Sequence, residues 1–132
     1  MVQLRSVPIG MRVDNWINQT YPALRDQQRS SAVRQLNENA AALRPEVREI
    51  APPRVYAANI GMNAAFAAFW SRLWADEHVP DPYRLSGHLA TGEALVKIFD
   101  GIPDEPASDR RLIEAWAQHL ELDGWFIFTP HR

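Results

Sequence analysis

Cysteine is absent from this chain of 132 residues. The absence excludes disulfides, thiolate nucleophiles, iron–sulfur clusters and the cysteine-based zinc sites. Lysine is nearly absent too, because 13 of the 14 basic residues are arginine and Lys97 is the exception. The chain must therefore build any binding or catalytic chemistry from arginine, histidine, carboxylates, hydroxyls and aromatic side chains.

A hydrophobic run long enough to cross a membrane is also missing. The longest stretch without charge holds the 17 residues between Arg54 and Arg72, and Asn59 and Asn63 interrupt it. A membrane-spanning helix needs about 20 apolar residues. Residues 1–16 contain no apolar core typical of a signal peptide. We therefore expect a cytoplasmic protein with no membrane partner.

The strongest pattern in the sequence predicts one central helix over Pro53–His78. Large apolar residues recur at helical spacing along one face, which is typical of core packing: Met62, Phe66, Phe69, Trp70, Leu73 and Trp74. Small residues form a second face, along which another backbone can come close: Ala57, Gly61, Ala64, Ala68, Ser71 and Ala75. The two faces together predict a helix buried on two sides.

Weaker patterns predict further helices on both sides of the central one. One runs from about Pro22 to Leu43, after a short helix capped by Asp14. Another begins at a Thr91 cap and ends at about Asp100, and a third follows Ser108.

Both ends of the chain carry weak strand patterns. Residues 2–7 alternate before Pro8, and residues 125–129 are aromatic and β-branched. We expect one mainly α domain over residues 1–132: a bundle of four to five helices around the central helix, with a small β element from the chain termini.

Known cofactor and metal motifs are absent. The two glycines of Gly87–Gly92 have the spacing of a phosphate-binding loop, but Glu93 stands where that loop needs lysine. We interpret both as turn glycines. His119 and Glu121 match part of a zinc deaminase motif that also requires cysteines. We expect no cofactor and no metal.

One loop offers an enzymatic hypothesis. Ser86, His88 and Glu93 supply a hydroxyl, an imidazole and a carboxylate within eight residues. These groups would support acid–base or nucleophilic chemistry if they converge in space.

A second hypothesis is nucleic-acid binding through the arginine-bearing N-terminal half. Residues 1–66 carry a net charge of +3, whereas residues 67–132 carry −5. Arginines that could contact phosphates cluster in that half: Arg25, Arg29, Arg34, Arg44 and Arg48.

The preferred hypothesis is a non-enzymatic accessory or regulatory protein that binds a protein partner. Trp, Tyr and Arg are enriched in interface hot spots. Aromatic residues expected at the surface are Trp16, Tyr21, Tyr56, Tyr83 and Trp125. The partner-binding residues that we predict are Tyr83, Arg84, Trp125, Arg25 and Arg29. Self-association through the C-terminal strand is an alternative form of the same hypothesis.

Overall fold

The computed structural model describes residues 2–50 and 52–121, and within these ranges all regular structure is helical. The α-helices are α1 Val2–Thr20, α2 Arg25–Ala40, α3 Pro45–Ile50, α4 Pro53–Trp74, α5 Asp81–Ser86, α6 Leu89–Asp100 and α7 Asp109–His119. Single 3-10 turns precede α2, follow α2 and precede α7. The mainly α fold is thus confirmed, and in the described part of the chain none of these helices is long and apolar enough to cross a membrane.

The central helix is α4, and it ends four residues before the predicted His78. Ala75 has a left-handed backbone with φ of 52°. The Asp76 N–H donates to the Ser71 carbonyl at 3.0 Å, and the Ser71 hydroxyl donates to the Asp76 carbonyl at 2.7 Å. This cap satisfies the last carbonyls of the helix. The helix therefore stops at its own cap, before it reaches Pro80.

The middle of each predicted face of α4 is buried, whereas Ala57 and Ala75 at the ends of the small-residue face are exposed. Met62, Phe69 and Trp70 belong to the main core with residues of α1, α6 and α7. On the small-residue face α6 crosses so closely that a Cβ on Gly92 would lie 2.6 Å from the Ala64 Cβ. Gly61 likewise lies under the Thr91 methyl group. The small face thus serves the close approach of a neighbouring helix.

The structure corrects two predictions about α6. The helix begins at Leu89, two residues before the expected Thr91 cap. Gly92 lies inside the helix and is buried, so its interpretation as a turn glycine is wrong. Gly87 does end a helix, since it closes α5 with φ of 84°.

The N-terminal strand prediction is wrong, because residues 2–7 belong to α1. Asp14 also lies within α1 and caps no separate helix. Val7, Pro8 and Met11 share one helical face, and all three are buried or packed against the core. Burial of this face outweighs the cost of about 3 kcal/mol or more that proline imposes inside a helix. The strand predicted for residues 125–129 lies outside the described residues.

Helices α1, α6 and α7 are joined by polar contacts as well as by the core. Arg12 on α1 binds both carboxylate oxygens of Asp109 on α7, at 2.5 and 3.1 Å. The Trp116 indole N–H donates to the Leu95 carbonyl of α6 at 3.1 Å. The first contact joins α1 to α7, and the second joins α7 to α6.

Candidate functional site

A cavity of about 390 Å³ lies where α1, α2 and α4 meet. We call it the Asp14 cavity. Its lining residues are Asp14, Ile17, Leu24, Gln27, Gln28, Ser31, Ala32, Gln35, Phe66 and Trp70. Its volume falls within the range of about 300–1,000 Å³ that is usual for ligand pockets.

Two buried polar atoms of this wall have no hydrogen-bond partner among the described residues. Gln28 donates from Nε2 to the backbone carbonyl of Asp14 at 2.8 Å, but its Oε1 is unpaired. The Nε1 of Trp70 is also unpaired, although only 2% of Trp70 is exposed. Most buried polar atoms in folded proteins are paired. Two unpaired polar atoms in residues that line one cavity therefore single this site out.

Asp14 brings a half-buried carboxylate to the same wall. Burial raises the pKa of the Asp14 carboxyl above its ordinary value, and a hydrogen bond from the Gln28 side chain opposes part of that effect. No arginine among the described residues neutralises this carboxylate. The arginines of α1 and α2 nearest in sequence are engaged elsewhere: Arg12 with Asp109, Arg25 with the Asn18 carbonyl and Arg29 with Trp74.

An exposed aromatic pair lies at the corner between α1 and α2. The rings of Trp16 and Tyr21 pack edge to face with their centroids 5.3 Å apart, and 49% and 47% of the two residues are exposed. Leu24 is 41% exposed and also lines the Asp14 cavity. We call Trp16, Tyr21 and Leu24 the corner patch.

A second cavity, of about 340 Å³, lies between α1 and the chain that joins α6 to α7. Here the polar side chains pair with one another. Arg12 binds Asp109, and the Asn15 amide donates to the Asp104 carboxylate at 2.8 Å. These contacts stabilise the fold, whereas the polar groups of the Asp14 cavity keep unused bonding capacity.

The predicted partner-binding residues are placed differently from what we expected. Tyr83 is only 1% exposed, so the expectation that it lies at the surface is wrong. It packs with Ile60, Ala64 and Ala67 of α4, and burial raises the pKa of its hydroxyl to about 12. Arg84 is exposed and pairs with Asp81. Trp125 lies outside the described residues.

The two predicted arginines of α2 make contacts within the protein. Arg25 donates twice to the Asn18 carbonyl, at 3.0 and 2.8 Å, near the end of α1. The Arg29 guanidinium lies 4.7 Å from the ring centroid of Trp74. Arg34 and Arg44 are exposed. Phosphate binding by Arg25 and Arg29 would have to compete with these contacts.

The groups of the predicted catalytic loop serve local structure. Ser86 donates its hydroxyl to the Tyr83 carbonyl at 3.2 Å, and His88 packs edge to face on Tyr56 with centroids 6.3 Å apart. Glu93 is exposed on α6. Within the described residues no hydrogen bond joins Ser86, His88 and Glu93 to one another.

Histidine and carboxylates come together at the end of α4 without forming a metal site. His78 contacts the Asp81 carboxylate at 3.1 Å and lies 4.0 Å from Glu77. Across the part of the chain that the structure describes, no group of three or more such side chains could hold a metal ion.

Comparison with known proteins adds no assignment. No protein-family model, curated protein or solved structure matches the chain.

Sequence reasoning did not single out the Asp14 cavity, although the sequence of α2 contains a signal that could have indicated it. Gln28, Ser31 and Gln35 recur at helical spacing and interrupt the apolar stripe of that helix. In the folded protein this polar interruption faces the cavity.

Proposed function

We propose that this protein acts by binding a protein partner at the corner of α1 and α2, as a non-enzymatic accessory or regulatory protein. The observation that carries the proposal is the Trp16–Tyr21 pair. Two large aromatic rings are held against each other while about half of each residue remains exposed. Such rings bury much apolar area on association and lose little conformational freedom.

The position of the pair supports the proposal further. Ile17 and Leu24 line the Asp14 cavity, and they lie in the same segment, residues 16–24, as Trp16 and Tyr21. The corner patch and part of the cavity wall are therefore built from one segment of chain. Tight interfaces commonly combine exposed aromatic anchors with a pocket that takes a side chain of the partner. The corner offers both features to one partner.

The rival hypotheses receive less support. Phosphate binding by Arg25 and Arg29 would have to displace contacts that these side chains already make. An enzyme built on the loop from Ser86 to Glu93 would have to bring together groups that make separate local contacts. Retention on DNA or RNA that falls steeply with salt would instead favour the nucleic-acid hypothesis.

The test begins with capture of partners from the native host by the full-length protein. The captured protein is then identified, purified and titrated against wild type, Trp16→Ala, Tyr21→Ala and Leu85→Ala. Leu85 is the matched control because it is 88% exposed on α5, away from the corner.

We expect the Trp16 and Tyr21 variants to weaken the complex by about 2 kcal/mol or more each, as hot-spot residues do. Leu85→Ala should leave the affinity unchanged. Full affinity in both corner variants, with their folds intact, would refute the proposal. Light scattering of the purified protein would show separately whether a second copy is the partner.

A further inference from the structure

The Asp14 cavity holds a carboxylate that forms no ion pair with the described residues. An ionised Asp14 carboxylate can only accept hydrogen bonds, and no cation among the described residues pairs with it. Phe66 and Trp70 add aromatic rings to the wall, and such rings attract cations. A ligand that complements the carboxylate and the aromatic rings carries a positive charge and N–H donors.

The basic side chains around the cavity do not provide that charge. Arg12 and Arg25 are held by Asp109 and by the Asn18 carbonyl. Arg29 lies over Trp74, and Arg72 on α4 binds Asp100 at 2.6 Å. The described part of the chain thus leaves the carboxylate without an ion-pair partner.

We infer that the Asp14 cavity receives an arginine side chain of the protein partner. Its guanidinium pairs with the Asp14 carboxylate, and its aliphatic stem packs against Leu24 and Phe66. Arginine fits these acceptors because its planar head presents five donors and binds carboxylates through two parallel bonds. The inference rests on the proposed function, since it names the anchor residue of the proposed partner.

The first experiment titrates the full-length protein with arginine protected as N-acetyl-arginine N-methylamide. The matched probe is the citrulline analogue, which replaces the guanidinium by a neutral urea of nearly the same shape. Binding is followed through the NMR signals of the cavity residues, with the Trp70 indole as the main reporter.

We expect saturable binding of the arginine probe with a Kd of about 1 mM, which is usual for a fragment of this size. The citrulline probe should bind at least about tenfold more weakly, because it lacks the charge. Equal binding of the two probes, or no shift of the cavity signals, overturns the inference.

Two variants separate a specific site from general charge attraction. Asp14→Asn should weaken binding of the arginine probe at least about tenfold. Asp26→Asn removes an exposed carboxylate from the first turn of α2 and should leave the affinity unchanged. Equal weakening by both variants, or by neither, overturns the inference. Thermal melting confirms that both variants are folded.

The partner complex then distinguishes this inference from the proposed function. Asp14→Asn should weaken the complex at least about tenfold and Asp26→Asn should not. If Trp16→Ala weakens the complex while Asp14→Asn leaves it unchanged, the proposed function stands and the arginine anchor is refuted. If no complex depends on Trp16 or Tyr21, the proposed function itself has failed, and with it the assignment of the arginine to a partner.

Discussion

Gly92 of α6 lies directly on the backbone of Ala64 in α4. A Cβ at Gly92 would be 2.6 Å from both the carbonyl carbon and the Cβ of Ala64, and 2.7 Å from the Ala65 nitrogen. Distances below 3.0 Å require one helix to move away from the other. The crossing of α4 and α6 therefore depends on the absence of a side chain at Gly92.

We expect Gly92→Ala to destabilise the protein by about 1–3 kcal/mol, because overpacking outweighs the gain in helix propensity. Gly10→Ala is the matched control, since Gly10 lies inside α1 and a Cβ there meets nothing within 4 Å. That substitution should stabilise the protein by up to about 1 kcal/mol. Urea unfolding measures both changes, and a stabilising Gly92→Ala would contradict the observed crossing.

The ion pair between Arg12 and Asp109 should couple α1 to α7. Only 14% and 22% of the two side chains are exposed. A double-mutant cycle with alanine at both positions should give a coupling energy of about 1–2 kcal/mol. The exposed Arg110–Glu114 pair on α7 should give only about 0.3–0.5 kcal/mol in the same cycle. Equal coupling energies in the two pairs would show that burial does not strengthen the Arg12–Asp109 interaction.

Replacing Asp14 should stabilise the protein in a pH-dependent way. Because burial raises the pKa of this carboxyl in the folded state, the folded protein binds its proton more tightly than the unfolded chain. The ionised group therefore opposes folding above the folded pKa, and this cost disappears below the unfolded value of 3.8. Asp14→Asn should raise the free energy of unfolding at pH 7, and the gain should shrink as the pH falls towards 3.8.

The control for that comparison is Asp26→Asn, which also removes one negative charge but from an exposed position. Urea unfolding at several pH values between 4 and 7 gives both curves. A gain in the Asp14 variant that grows on acidification would have the wrong sign for a carboxyl with a raised pKa.

Two buried aromatic residues should respond in opposite ways to loss of their polar group. The Tyr83 hydroxyl is buried with no hydrogen-bond partner among the described residues, so Tyr83→Phe should stabilise the protein by about 1 kcal/mol. Trp116 donates to the Leu95 carbonyl and is fully buried, so Trp116→Phe should cost about 3 kcal/mol through the lost bond and the cavity. Thermal unfolding measures the change in stability of both variants. A large loss of stability in Tyr83→Phe would contradict the expectation and indicate that the hydroxyl makes a hydrogen bond.

The helices that sequence reasoning predicted well are those whose signals are local. The 3.6-residue spacing of large side chains identified α4 through Phe69 and Trp70, and proline marked its start. The helix predicted after Ser108 is α7, and Leu112, Ile113 and Trp116 recur on its buried face. Periodicity acts over one or two turns, so it can be read without knowledge of the rest of the fold.

The sequence alone thus determined the helical class of the protein and the two-sided burial of its central helix. Only the tertiary structure decided that α1 continues through Pro8, that Gly92 carries a helix crossing, and that Tyr83 is buried. It also decided that Asp14 and Trp70, 56 positions apart in the chain, share one cavity. Each of these outcomes depends on which helix packs against which, and burial against a distant element outweighs local propensity.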